Sequence, residues 1–153
     1  MVGLYSIGLE NWLAGTGAAT TIRLKIEGFN AASPGRYAAL ASFLAVAHSL
    51  LEEYYWRWFV FGRLRRLVPL PAAIGLSSLA FMAHHVVVLS RFFPNDFWSA
   101  TVPLSLCIAI GGAFWAWLYD RSGSVYAPWI SHLLVDAAIM GVGYDMIFLG
   151  EAR

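Results

Sequence analysis

The chain has 153 residues, of which 59% are hydrophobic and only 12% charged, and its mean hydropathy is +0.64. A soluble domain carries roughly 25% charged residues, so this composition excludes an ordinary soluble fold and points to one membrane domain. Ten Lys and Arg against nine Asp and Glu leave a net charge of +1 with no basic patch, which excludes nucleic-acid binding.

Residues 1–36 read as an N-terminal peripheral or interfacial segment. Leu4 to Leu13 is apolar but contains Glu10 and Asn11, and it is about half the roughly 20 residues that a span needs. No basic region precedes it, so no cleavable signal peptide is expected. The charges Arg23, Lys25 and Glu27 follow. Asn30 to Arg36, with Ser33-Pro34-Gly35 inside it, is a linker into the membrane domain at residues 37–153.

Four transmembrane helices are expected there: Tyr37 to Phe61, Leu67 to Phe93, Phe97 to Tyr119 and Val125 to Leu149. The fold class is all-α, a polytopic helical bundle in the lipid bilayer, and the expected location is the cell's inner membrane. Pro94-Asn95-Asp96 and Asp120-Arg121-Ser122-Gly123-Ser124 carry the turn chemistry between spans. Pro69, Pro71, Pro103 and Pro128 fall near helix starts, where the missing N–H has no intrahelical partner to lose. Trp56, Trp58, Trp98, Trp115, Trp117 and Trp129 fall near span ends, as an interfacial aromatic belt does. Arg63, Arg65 and Arg66 follow the first span as interfacial anchors. With Arg121 they face five basic residues on the other side, Arg23, Lys25, Arg36, Arg91 and Arg153, so charge sets no orientation. Cys107 lies in an apolar run and reads as packing.

Three polar clusters interrupt these spans. An ionisable group at membrane depth costs roughly 2.5–3.5 kcal/mol on insertion scales, so its retention points to use. On the first span, Glu53 and Arg57 are four apart and can pair, while Glu52 points about 100° away and stays available. His48 lies one turn before Glu52 on its face. A buried structural ion pair with a spare Glu would carry the same pattern. On the second span, His84 and His85 are adjacent, so they point in different directions and do not share one job. On the fourth, His132 and Asp136 are four apart, and the Asp can fix the imidazole's tautomer. Brought together, a Glu and two or three His could activate a water directly or through a metal, with another imidazole stabilising an oxyanion.

Glu52-Glu53-x-x-x-Arg57, Phe81-x-x-x-His85 and His132-x-x-x-Asp136 follow, in order, the EExxxR, FxxxH and HxxxN/D motifs. The chain thus resembles the CPBP (Abi) family of intramembrane proteases, which includes the type II CAAX prenyl endopeptidases, over about residues 40–150. The resemblance implies peptide hydrolysis in the membrane. Glu52 and His85 would activate water, His132 and Asp136 would stabilise the oxyanion, and Glu53 and Arg57 would support the site, with His48 and His84 beside it. It leaves the cofactor open between none and a divalent metal such as zinc, for which Glu52, His85 and His132 are the candidate ligands. The implied partner is a membrane-embedded or lipidated peptide or protein. Two departures stand out. There are fewer spans than in most relatives, which leaves part of the substrate-enclosing wall missing or to be supplied by another copy in a homo-oligomer. Asp136 stands where Asn is usual, so it acts protonated or only by orienting His132.

No His-Glu-x-x-His and no Gly-x-Ser-x-Gly occurs, and Tyr144 interrupts Gly141-Val142-Gly143-Tyr144-Asp145 as a Gly-x-Gly-Asp motif. Its glycines read as close-packing positions. The rival readings are a non-catalytic scaffold or immunity protein, and a haem- or metal-binding membrane protein.

Overall fold

A computed structural model describes residues 18–149. The apolar stretch at residues 4–13 and the terminal Arg153 lie outside the described residues, among which there is no strand. The elements are α1 (Ala18–Gly28), a long helical run α2 (residues 34–64), α3 (Leu70–Phe92), α4 (Phe97–Ser122) and α5 (Tyr126–Leu149).

Local chemistry sets the boundaries. Pro34 occupies the start of α2 and Pro71 the first turn of α3, where no donor is missed, whereas Pro103 lies inside α4, just after its π-helical turn at Phe97–Thr101. The second span begins at Leu70 rather than at Leu67, because Val68 precedes Pro69 and is pushed out of the helical region. α4 runs to Ser122, past the expected Tyr119, and stops at Gly123 in the left-handed conformation (φ 62°), whose N–H reaches Tyr119 C=O at 2.9 Å.

α2 is not a uniform α-helix. Over Phe43–His48 and Tyr54–Phe61 it widens to π-helical turns. Ser49 N–H reaches Leu44 C=O and Gly62 N–H reaches Arg57 C=O, each five residues back. The widened turns bracket Ser49–Glu53, the short α-helical segment that carries both glutamates.

α2 packs along α5 through residues 34–53, and along α3 and α4 through residues 54–61. α3 and α4 run antiparallel in close contact, and α1 lies across α3 and the end of α5. Arg23 of α1 donates to Ile147 C=O at 3.3 Å. Small residues permit the close approaches. A Cβ on Gly112 would stand 3.1 Å from Phe81 Cδ1 and 3.5 Å from the Ser78 backbone. Gly143 leaves room for the Tyr37 hydroxyl, which donates to Met140 C=O at 2.8 Å.

Polarity is reversed relative to a soluble bundle. Leu76, Leu79, Val87, Ile110, Leu134 and Ile139 are exposed, whereas Ser49, Glu53, Arg57, Ser77, Thr101 and His132 are buried. Cys107 also lies on the apolar outer surface, which corrects its reading as a packed residue: its position on α4 faces away from the other helices. α3, α4 and α5 are each long and apolar enough to cross a membrane. α2, the first of the four expected spans, is not among these three; it carries Glu53 and Arg57 fully buried. The protein is an integral membrane protein.

Gly112→Val is expected to lower stability by about 1–3 kcal/mol through overpacking against Phe81. Gly75→Ala, whose Cβ meets nothing within 4 Å, is expected to leave stability unchanged or raise it. Thermal unfolding of the two variants in one detergent checks both.

Candidate active site

The deepest part of the site is ionic. Arg57 and Glu53 are both fully buried, and Arg57 Nε stands 2.9 Å from Glu53 Oε2. Neither atom makes an aligned hydrogen bond among the described residues, so the contact is an ion pair. The guanidinium also lies over the Phe81 ring at 4.7 Å and near the Trp115 ring at 5.6 Å. A cation–π contact contributes about 0.5–2 kcal/mol, against about 4 kcal/mol for unit charges roughly 4 Å apart at an effective dielectric near 20. Glu53 therefore dominates the environment of Arg57.

Glu53 reaches a second partner across the bundle. Its Oε1 accepts from His132 Nδ1 at 2.8 Å. With the proton held on Nδ1, the opposite nitrogen of His132 is left for chemistry. That Nε2 lies 3.7 Å from Glu52 Oε2 and 3.5 Å from Asp136 Oδ1. The Trp115 indole stacks on the His132 ring at 4.0 Å and 18°, and donates its N–H to Ser131 Oγ at 3.2 Å.

Glu52 is the meeting point of all four histidines. Its Oε1 stands 3.2 Å from His84 Nε2, 3.9 Å from His48 Nε2 and 4.0 Å from His85 Nε2. Its Oε2 faces His132. The carboxylate is 12% exposed, so it is shielded but reachable, unlike Glu53. His85 donates from Nδ1 to the Phe81 carbonyl at 3.0 Å, which leaves Nε2 with a lone pair toward Glu52. His84 stacks on Trp56 at 5.3 Å and 5°. Phe81, almost fully buried, has ring contacts with His84, His85 and His132 and so spaces the three imidazoles.

All eight residues singled out in the sequence are thus brought into one site. Three sequence expectations change. His84 and His85 do not diverge: their ring centroids lie 3.9 Å apart, and both Nε2 atoms turn to the same Glu52 oxygen. The carboxylate that orients His132 is Glu53 on a neighbouring helix, at hydrogen-bond distance, while Asp136 lies beside the other nitrogen. Trp56 and Trp115 are not belt residues; they pack on His84 and His132. Trp56 lies four residues after Glu52, a spacing that places it on the site face. Nothing local separates Trp115 from Trp117, which is exposed on the outer face.

A family model for the type II CAAX prenyl endopeptidases, Rce1-like, matches residues 34–138. The chain belongs to this family. The match runs from the first residue of α2 past Asp136 and contains every polar residue of the site. No curated protein and no solved structure matches the chain. Membership makes it, at family level, a CAAX-type intramembrane protease. Among the described residues of this Rce1-like chain, the group that could hold a metal is Glu52, His84 and His85, whose ligand atoms all lie within 4.8 Å of one another. Two imidazoles and a carboxylate suit a divalent ion such as zinc. His84, rather than the expected His132, belongs to this group.

Arg57→Met is expected to destabilise the protein by about 3–5 kcal/mol, since it strands a buried carboxylate. The double variant Glu53→Gln/Arg57→Met should recover most of that loss. Unfolding of both in detergent tests the ion pair, and equal losses would contradict it.

Proposed function

We propose that the chain is an intramembrane endopeptidase in which Glu52 activates a water for attack on a peptide bond of a membrane-associated protein or peptide. The observation that carries this reading is the placement of a reachable carboxylate, Glu52, against ring nitrogens from α2, α3 and α5.

Glu52 takes a proton from water as the oxygen attacks the scissile carbonyl. The lone pair on His85 Nε2 accepts a hydrogen bond from the water's other O–H and sets its position; the bond to the Phe81 carbonyl places the neutral ring's proton on Nδ1. His132, doubly protonated, donates from Nε2 to the tetrahedral oxyanion while Nδ1 stays on Glu53. Glu52 then returns its proton to the amide nitrogen, the C–N bond breaks, and an acid and an amine leave. Asp136, 3.5 Å from His132 Nε2, holds that N–H until the oxyanion forms. Glu53 and Arg57 position His132, and His48 and His84 tune and orient Glu52. A divalent ion held by Glu52, His84 and His85 would supply Lewis-acid polarisation of the water at the same position.

The membrane domain is residues 37–153, with residues 1–36 as its peripheral segment, in the cell's inner membrane. A second copy would complete the wall around the substrate.

Glu52→Gln is expected to lower cleavage by about 10²–10⁴-fold, whereas Asp136→Asn should preserve it. The assay is mass spectrometry of fragments released in nanodiscs from two probes, a prenylated C-terminal peptide and an unprenylated membrane-tethered one. Cleavage by Glu52→Gln at the wild-type rate would refute the assigned base.

A further inference from the structure

A concave feature lies at the end of α2 away from the Glu52 site. Counting ten residues from Glu52 to Gly62 at about 1.5 Å per residue, it is about 15 Å from the site along the helix. Here the ends of α2 and α4 enclose a cavity of about 340 Å³, lined by Arg63, Arg65, Arg66, Tyr119, Asp120 and Trp58 among others. Arg65 Nε bonds Asp120 Oδ1 at 3.1 Å, which fixes the guanidinium while its terminal amino groups remain donors. Arg63 and Arg66 have no ion-pair partner among the described residues.

Charge bookkeeping decides what such a cavity takes. Three guanidiniums face one carboxylate. The C-termini of α2 and α4 each add about half a negative charge, so roughly one positive charge is unbalanced. Trp58 and Phe59 line the same cavity and are also exposed to the outer surface. The cavity therefore joins a cationic interior to an apolar, lipid-facing edge, and its place at the end of α4, which is long and apolar enough to cross a membrane, puts it at headgroup depth.

We propose that this cavity binds the phosphodiester of an anionic phospholipid, with Arg63 and Arg66 on the phosphate oxygens, Arg65 held in place by Asp120, and Trp58 and Phe59 against the glycerol and acyl chains. A phosphodiester carries the single negative charge that the cavity leaves unbalanced, and its planar pairing with guanidinium suits arginine over lysine. The site is separate from the Glu52 centre and does not rest on proteolysis.

The test is native mass spectrometry of protein released from nanodiscs of equimolar phosphatidylcholine and phosphatidylglycerol. Wild type should retain phosphatidylglycerol preferentially. Arg63→Gln and Arg66→Gln should each weaken retention about fivefold, with the double variant folded as judged by its thermal midpoint. Arg91→Gln, at the end of α3, should retain lipid as wild type does. Equal retention of the two lipids by wild type, or an equal loss in Arg91→Gln, would overturn the proposal. A parallel arm adds inorganic phosphate: if it displaces the lipid, the site belongs to soluble phosphate and the lipid assignment fails.

Discussion

Glu53 is the residue on which the rest of the site depends. It is fully buried, touches Arg57 with one oxygen and His132 with the other, and so ties α2 to α5 at the centre of the bundle. A lone carboxylate at that depth would be expelled or neutralised. Arg57 stands 2.9 Å from it as its counter-charge, and the Phe81 and Trp115 rings receive the guanidinium where no further acceptor is present among the described residues. A charged Glu53 accepts a proton bond from His132 Nδ1, and that bond turns Nε2 toward Glu52. The buried pair thus does positional work, while the neighbouring carboxylate is left reachable. Two adjacent glutamates take different roles because a helix sends them about 100° apart.

Much of this arrangement is legible in the amino-acid sequence. Helical spacing alone pairs Glu53 with Arg57 and separates Glu52 from both, and the order of three polar motifs on apolar stretches indicates one site. The all-α membrane fold follows from composition and from the lengths of α3, α4 and α5. What the sequence does not carry is relative rotation between helices. Adjacent His84 and His85 look divergent on their own helix, yet their rings lie side by side and both turn to one Glu52 oxygen on α2. The partner of His132 looks like Asp136 because that pair shares a helix, yet a residue on another helix comes closer. The π-helical turns of α2 are likewise invisible to a 3.6-residue periodicity, and they flank the segment that presents both glutamates.

The apolar surroundings matter to the chemistry as much as to insertion. Trp56 and Trp115 stack on the faces of His84 and His132, and Phe81 meets His85 edge-on. In such a setting a carboxylate and an imidazole interact more strongly than they would in water, and donors fixed in advance need no rearrangement when an oxyanion develops. Gly112 is part of this design, since its missing side chain lets α4 approach close enough for Trp115 and Phe81 to share the guanidinium.

The central claim is that Glu53 holds the proton of His132 on Nδ1 and so aims Nε2 at Glu52. The measurement that meets it directly is the ¹⁵N spectrum of His132 in histidine-labelled protein in nanodiscs, followed across pH and assigned with His132→Gln. The account predicts that Nδ1 stays protonated wherever the protein is folded, and that only Nε2 gains or loses a proton. A neutral His132 with its proton on Nε2 and a bare Nδ1 would contradict it.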